Sequence, residues 1–307
     1  MRNTFAALSK ITLVHLALLS VSLIYAATFS IAKEVMPAYV DPFAFILLRV
    51  GTAALLFWII HGLLFKGFKP EKKDLRRFVI CGIFGVGANM LLFFKGLSET
   101  TPINGAILMT STPVFVVILS AIMGIEKLTP RRSIGIVLAC LGAALLISGF
   151  TLKGATQGIS FSMQTIAGDV MVMLNAIIYS FYLVYAQPLL VKYHPITVSK
   201  YTFFTGLVLV MPFGAPPLKE VAWAEMPLAI YWDIAFVVLA ASFLTYLLNA
   251  WALRHATPGL VGSYIYLQPV LATMIAILWG KDQLSLEKIL FILCIFSGVY
   301  LVNRKRT

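Results

Sequence analysis

Apolar residues occupy the chain in long stretches, and polar and charged positions gather in the short gaps between them. Ten stretches reach the roughly 20 residues that a helix rising 1.5 Å per residue needs to cross the hydrocarbon layer. They run approximately over 12–32, 42–65, 76–98, 102–124, 131–150, 166–188, 196–213, 232–254, 258–279 and 286–303. The gaps leave no room for a soluble domain, so the pattern predicts an all-α integral membrane protein with ten transmembrane helices. Arg2 and Lys10 precede the first stretch as the basic region of a signal peptide would. That stretch is longer than the roughly 7–15 residues of a signal core, so it reads as an uncleaved first helix. The seventh is the least regular, with Lys200 and Pro212 near its ends.

Composition agrees: 60% of the 307 residues are hydrophobic, and 12% are charged against about 25% in a soluble protein. The formal net charge of +12 raises nucleic acid as a partner, but the placement of the charge argues for membrane topology. With the N-terminus inside, seventeen of the twenty-four Lys and Arg fall on the inner side, including those of the loop KGFKPEKKDLRR (66–77). Five fall outside (Lys33, Lys153, Lys219, Lys281 and Lys288), while Arg49 and Lys95 lie within stretches. Basic loops stay cytoplasmic, which places both termini in the cytoplasm of a multi-pass protein of the cell inner (cytoplasmic) membrane. Its large partner is then the lipid bilayer and not nucleic acid. Cys81, Cys140 and Cys294 lie in apolar runs without CxxC spacing and read as small buried hydrophobes.

The chain writes one pattern twice. TPINGAILMTSTPVF (101–115) returns 156 positions later as TPGLVGSYIYLQPVL (257–271). At that offset Leu97 matches Leu253, Pro113 matches Pro269, Gly124 matches Gly280, Glu126 matches Asp282, Leu128 matches Leu284 and Gly142 matches Gly298. LIYAATFSIAK (23–33) echoes IIYSFYLVYAQ (177–187) at an offset of 154. A duplication of five helices divides the chain into 1–150 and 151–307. Five is odd, so the second copy is inverted in the membrane, the architecture of secondary transporters that alternate access to a site between their halves. Thr101 and Thr257 suit helix N-caps, with Pro102 and Pro258 at the first helical position. Pro113 and Pro269 fall mid-stretch, where each removes a hydrogen bond to the carbonyl four residues earlier, at Met109 and Ile265, and predicts a kink or hinge.

Polar groups inside a span are costly and mark candidate sites. Arg49 lies a third of the way along the second stretch, whereas Lys95 is near enough to an end to snorkel. Asn89, Asn175, Thr245, Asn249 and Gln268 are uncharged and deep, and each also suits a bond to a neighbouring helix. Tyrosines gather nearby at Tyr25, Tyr179, Tyr182, Tyr246, Tyr264 and Tyr266. At helical spacing Gly262, Tyr266 and Pro269 share a face, as do Ala106, Met109, Thr110 and Pro113. The candidate binding set is Tyr25, Arg49, Asn89, Met109, Thr110, Asn175, Tyr179, Asn249, Tyr266 and Gln268, which suits a small organic solute with an apolar body. Glu126 and Asp282 read as groups that tie helices together. His15 and Asp169, at equivalent positions in the two halves, are the candidates for carrying a proton. His15, His61, His194 and His255 are scattered and no P-loop is present, so neither an enzyme, a metal nor a cofactor is expected.

Ten helices in two copies resemble the EamA-type branch of the drug/metabolite transporter superfamily. The resemblance rests on DPFAFILLRVGTAALLF (41–57), on TSTPVFVVILSAIMGIEKLTPRRSIGIVLACLGAALL (110–146) and on its copy LQPVLATMIAILWGKDQLSLEKILFILCIFSGVYLV (267–302). It covers nearly the whole chain and departs from the family at Tyr25-Ala26, usually aromatic-glycine, and at Asp282, usually glutamate. The resemblance implies an exporter of amino acids, other metabolites or xenobiotics. A carrier of phosphorylated sugars or nucleotide-sugars is the related alternative, and it would need more cations than Arg49 and Lys95. No GxxxG-like dimer face stands out, so a monomer or weak dimer is expected.

Overall fold

The computed structural model describes residues 2–100, 102–148, 166–278 and 285–303. Thr101, Gly280, Asp282 and Leu284 lie outside the described residues, as do Lys153, Lys281, Arg304, Lys305, Arg306 and the side chains of Arg2, Lys33 and Ala106. The helices in chain order are α1 (Arg2–Val35), α2 (Pro42–Leu64), α3 (Lys72–Gly82), α4 (Ala88–Glu99), α5 (Pro102–Met109), α6 (Thr112–Ile122) and α7 (Pro130–Ser148). They continue as α8 (Ile166–Lys192), α9 (Pro195–Lys219), α10 (Leu228–Phe236), α11 (Thr245–His255), α12 (Pro258–Ser263), α13 (Leu267–Leu278) and α14 (Leu286–Asn303). No strand occurs among the described residues.

Six helical segments of the described residues are long and apolar enough to cross a membrane: Lys10–Thr28, Pro42–Leu64, Lys72–Glu99, Ile166–Lys192, Pro195–Lys219 and Leu228–His255. Lys72–Glu99 joins α3 to α4 through a π-helical segment, Ile83–Gly87, and Leu228–His255 joins α10 to α11 through another, Val237–Leu244. Large side chains on these and neighbouring helices stay exposed, among them Leu55, Ile122, Val208 and Leu278. Lipid covers such a surface; water would not.

Local chemistry sets the helix starts. Asp41 caps α2, accepting from the Phe43 amide at 2.8 Å, with Pro42 at the first helical position. Thr257 caps α12 as expected, accepting from the Leu260 amide at 3.4 Å. α9 runs well beyond the predicted 196–213: it starts at Pro195, capped by His194, and continues through Pro212, Pro216 and Pro217 to Lys219. Lys200 is thus inside the helix, where the Trp58 ring 4.2 Å away and His61 Nδ1 at 3.3 Å receive its ammonium.

Element boundaries repeat at the spacing of the sequence motif. Lys72–Glu99 and Leu228–His255 are displaced by 156 at both ends, and each contains its π-helical segment after a similar run of α-helix. α5 and α12 begin at Pro102 and Pro258, and α7 and α14 at Pro130 and Leu286, again 156 apart.

The chain forms two compact units, Met1–Phe94 with Tyr185–Ala256, and Lys95–Val184 with Thr257–Thr307. Each draws on both sequence halves. In the first, α2 packs along α9 around a core that includes Phe57, Phe203 and Tyr246. Phe57 and Phe203 have centroids 5.2 Å apart, and Phe203 meets Tyr246 edge-on at 4.8 Å. Gly214 allows the close approach, since a Cβ there would stand 2.5 Å from Leu47 Cβ. At one end of this unit Lys192 bridges Glu71 at 2.6 Å and Asp74 at 2.7 Å, and the Tyr193 hydroxyl donates to Asp74 at 2.6 Å. In the second unit α7 crosses α14 backbone to backbone: a Cβ on Gly135 would lie 2.8 Å from the Gly298 carbonyl oxygen, and one on Gly298 2.5 Å from that of Gly135.

Candidate functional site

α2 is apolar from Pro42 to Leu64 except at Arg49, Thr52 and His61. Arg49 lies about 10 Å along it at 1.5 Å per residue, with 5% of its surface exposed. A charge at that depth costs about 2.5–3.5 kcal/mol on insertion scales, so its surroundings must supply compensation. The Nε–H donates to Ser242 Oγ at 2.8 Å, and the guanidinium carbon lies 5.0 Å from the centre of the Phe94 ring. Ser242 in turn donates to the Val237 carbonyl at 3.1 Å, five residues back, as the π-helical turn permits. Thr245, one turn on, donates to the Ala241 carbonyl at 2.6 Å and contacts the Tyr25 hydroxyl at 3.4 Å. The Tyr246 hydroxyl reaches the Gly85 carbonyl, inside the other π-helical segment, at 3.3 Å. Tyr25 and Tyr246 both lie within electrostatic reach of the guanidinium.

One buried cluster in the first unit therefore joins Tyr25, Gly85, Ser242, Thr245 and Tyr246 around Arg49. Widened turns are frequent at functional sites because they loosen the backbone hydrogen-bond ladder and re-aim side chains. Both widened segments of the described residues contribute here, through Gly85 and Ser242. Ser242 was absent from the candidate set, and its signal is a spacing: Ser242, Thr245, Tyr246 and Asn249 stand at i, i+3, i+4 and i+7, one polar face of a helix in an apolar run. Asn89 is buried on α4 and Asn249 half-buried on α11, both in this unit. Lys95 pairs with Glu99 at 2.6 Å near the end of α4 and is 44% exposed, as suits an interfacial anchor.

The remaining candidates lie in the second unit. The mid-stretch prolines sit at breaks instead of kinks. α5 ends at Met109, and α6 begins at Thr112, so Pro113 occupies its first turn, where a missing N–H leaves no orphan. Hydroxyls close the break: Thr110 Oγ1 donates to the Ile107 carbonyl and Ser111 Oγ to that of Leu108, each at 2.6 Å. From α8, Ser180 Oγ donates to the Thr112 carbonyl at 3.0 Å. The equivalent break is the 3-10 turn Tyr264–Tyr266, with Pro269 in the first turn of α13. Gln268 and Pro269 are half-buried beside it. Tyr266 is fully enclosed, packed with Ala139, Ala143 and Ile295, its hydroxyl 3.5 Å from the Ile136 carbonyl. Met109 is half-buried, Thr110 and Asn175 are buried, and Tyr179 stacks on Tyr182 at 6.0 Å.

Glu126 ties helices together, as its position predicted. Its carboxylate accepts from the Gly259 amide at the start of α12 at 2.7 Å and pairs with Arg132 at 2.6 Å. Asp169 accepts a short hydrogen bond from Thr100. Among the described residues no three His, Cys, Asp or Glu side chains gather as metal ligands would.

The EamA-like transporter family matches the chain twice, over residues 12–148 and 166–304. The "Uncharacterized transporter YyaM" of Bacillus subtilis (strain 168) is 27% identical over 273 residues, covering 87% of this chain and 86% of that protein. An "Uncharacterized transporter" of Archaeoglobus fulgidus is 26% identical over 298 residues, 95% of this chain and 98% of its own. A "Probable terminal-alkyne amino-acid exporter" of Streptantibioticus cattleyicolor is 26% identical over 238 residues, 77% of this chain and 76% of its own. A crystal structure with 18% identity superposes with a TM-score of 0.73, covering 94% of this chain and 96% of that one, and shares the fold.

Proposed function

Because the chain belongs to the EamA-like transporter family, and is thus a multi-pass membrane transporter, we propose that it is a secondary-active exporter of small organic metabolites such as amino acids. It works by alternating access, with ten spans arranged as two inverted five-helix repeats, 1–150 and 151–307. The observation that carries this reading is the duplicated architecture. Helix boundaries, π-helical segments and proline-marked breaks recur about 156 residues apart, and the family matches once in each half. An odd number of spans per copy inverts the second, and two inverted copies that exchange conformations give outward-open and inward-open states of similar energy. The breaks at 110–111 and 264–266 are the hinges, with Pro113 and Pro269 beside them. The basic loop 66–77 and both termini face the cytoplasm. Amino acids are favoured as cargo by the relative named as a probable terminal-alkyne amino-acid exporter. The single deeply buried cation of the Arg49 cluster disfavours doubly charged phosphorylated sugars.

The test is counterflow into proteoliposomes loaded with single amino acids, comparing wild type with Gln268→Ala and Pro113→Ala. Saturable exchange that is reduced in both variants is expected. If folded wild-type protein exchanges no member of the panel, the amino-acid reading fails.

A further inference from the structure

We propose that Arg49 is the anchor for a carboxylate group on the transported solute; this rests on the transporter reading above. The argument is one of charge balance. Of the twelve acidic residues only Asp282 lies outside the described set, and no described carboxylate forms an ion pair with Arg49. Among the described residues, the groups that interact with it from α1, α4 and the segment Leu228–His255 are neutral: Tyr25, Phe94, Ser242 and Tyr246. A guanidinium stays protonated in proteins, so the cluster carries a positive charge that no described carboxylate pairs with.

Hydrogen-bond donors point the same way. The Nε–H is the guanidinium donor with a partner among the described residues, leaving the four N–H bonds of Nη1 and Nη2 without an acceptor there. The Thr245 hydroxyl gives its one proton to the Ala241 carbonyl, so its oxygen is the acceptor that the Tyr25 hydroxyl meets at 3.4 Å, and the spare donors are those of the guanidinium. A site whose spare hydrogen bonds are those of a guanidinium, which has donors and no acceptor, is built for an anion. Ser242 and Phe94 fix the guanidinium plane from one edge and one face, so the outer edge offers two parallel N–H bonds, the geometry that a carboxylate accepts in bidentate fashion. A phosphate monoester brings about two negative charges and would call for a second cation, which the cluster lacks.

Matched solutes test this on the wild-type protein. Unfolding temperature in detergent and counterflow in proteoliposomes are measured with L-leucine, 4-methylvalerate (carboxylate, no amine), L-leucinamide (amine, no carboxylate) and the corresponding phenylalanine set. The acids are expected to stabilise and compete, and the amides to do neither. Arg49→Lys should weaken the acids about ten- to a hundredfold, the loss of a bidentate charged contact, and Arg49→Gln should abolish their effect. Amides acting as well as acids would overturn the carboxylate anchor while leaving a transporter. So would acids exchanging through Arg49→Gln at the wild-type rate. Should no solute of any charge exchange or stabilise, the transporter reading falls too. The wild-type comparison decides the matter even if an Arg49 variant fails to fold.

Discussion

A methyl group added at Gly298 should drive α7 and α14 apart. The Cβ of Gly298→Ala would stand 2.5 Å from the Gly135 carbonyl oxygen and 2.6 Å from the Ala139 amide nitrogen, both backbone atoms that no rotamer change can move. Ordinary contact begins near 3.4 Å, so the helices must separate by about 0.9 Å along that line. A gap of that size forfeits a quarter to a half of the dispersion energy of the atoms facing it, and overpacking of a tight core costs about 1–3 kcal/mol. Gly62→Ala is the internal control: a Cβ there meets nothing within 4 Å. Relieving the entropy penalty of glycine near the end of α2 should stabilise by about 0.5 kcal/mol. Thermal unfolding of both variants in the same detergent should therefore shift in opposite directions, Gly298→Ala down by several degrees and Gly62→Ala slightly up. Equal shifts, or a neutral Gly298→Ala, would refute the close crossing.

Other expectations are as direct. Glu126→Gln removes the ion pair to Arg132 but keeps an acceptor for the Gly259 amide, so it should cost about 1–3 kcal/mol, less than Glu126→Ala in the same melt. Cys81 is fully buried and should resist maleimide in folded protein while denatured protein reacts. Lys192 first, and then Lys73, hold the Glu71 carboxyl below the usual range. Its contribution is present above the ordinary glutamate pKa and fades as pH falls through the lowered one, so wild type and Glu71→Gln should melt alike once acidified well below pH 4. A single cysteine replacing Phe68, within the loop 66–77, should be labelled by a membrane-impermeant maleimide in inverted vesicles and not in intact cells.

Six of the ten apolar runs were legible as spans because span length is set by the bilayer, and they form helices long and apolar enough to cross it, whereas the run 102–124 is broken at 110–111. The Thr257 cap and the helix-tying Glu126 were legible from short-range chemistry, a hydroxyl before Pro258 and an acid at a helix end. The extension of α9 through three prolines was not, since proline reads as a terminator until neighbouring helices satisfy the freed carbonyls. π-helical segments leave no composition mark, because their wider turn follows from packing and not from residue type. The pairing of Ser242 with Arg49, which that turn delivers, was therefore not legible, although the spacing of Ser242 with Thr245, Tyr246 and Asn249 marks a polar face and Arg49 stands out as a charge in an apolar run. Tyr266 shows a further limit: helical spacing placed it on the face of Pro269, but periodicity does not distinguish a face that lines a cavity from one that fills a core.

Efflux of a labelled amino acid from proteoliposomes, measured with and without excess unlabelled solute outside, probes the carrier mechanism most directly. A protein that must return its binding site across the membrane before each new turnover returns faster when loaded, so outside solute should accelerate efflux and the acceleration should saturate. Efflux indifferent to outside solute would contradict alternating access and indicate an open pathway.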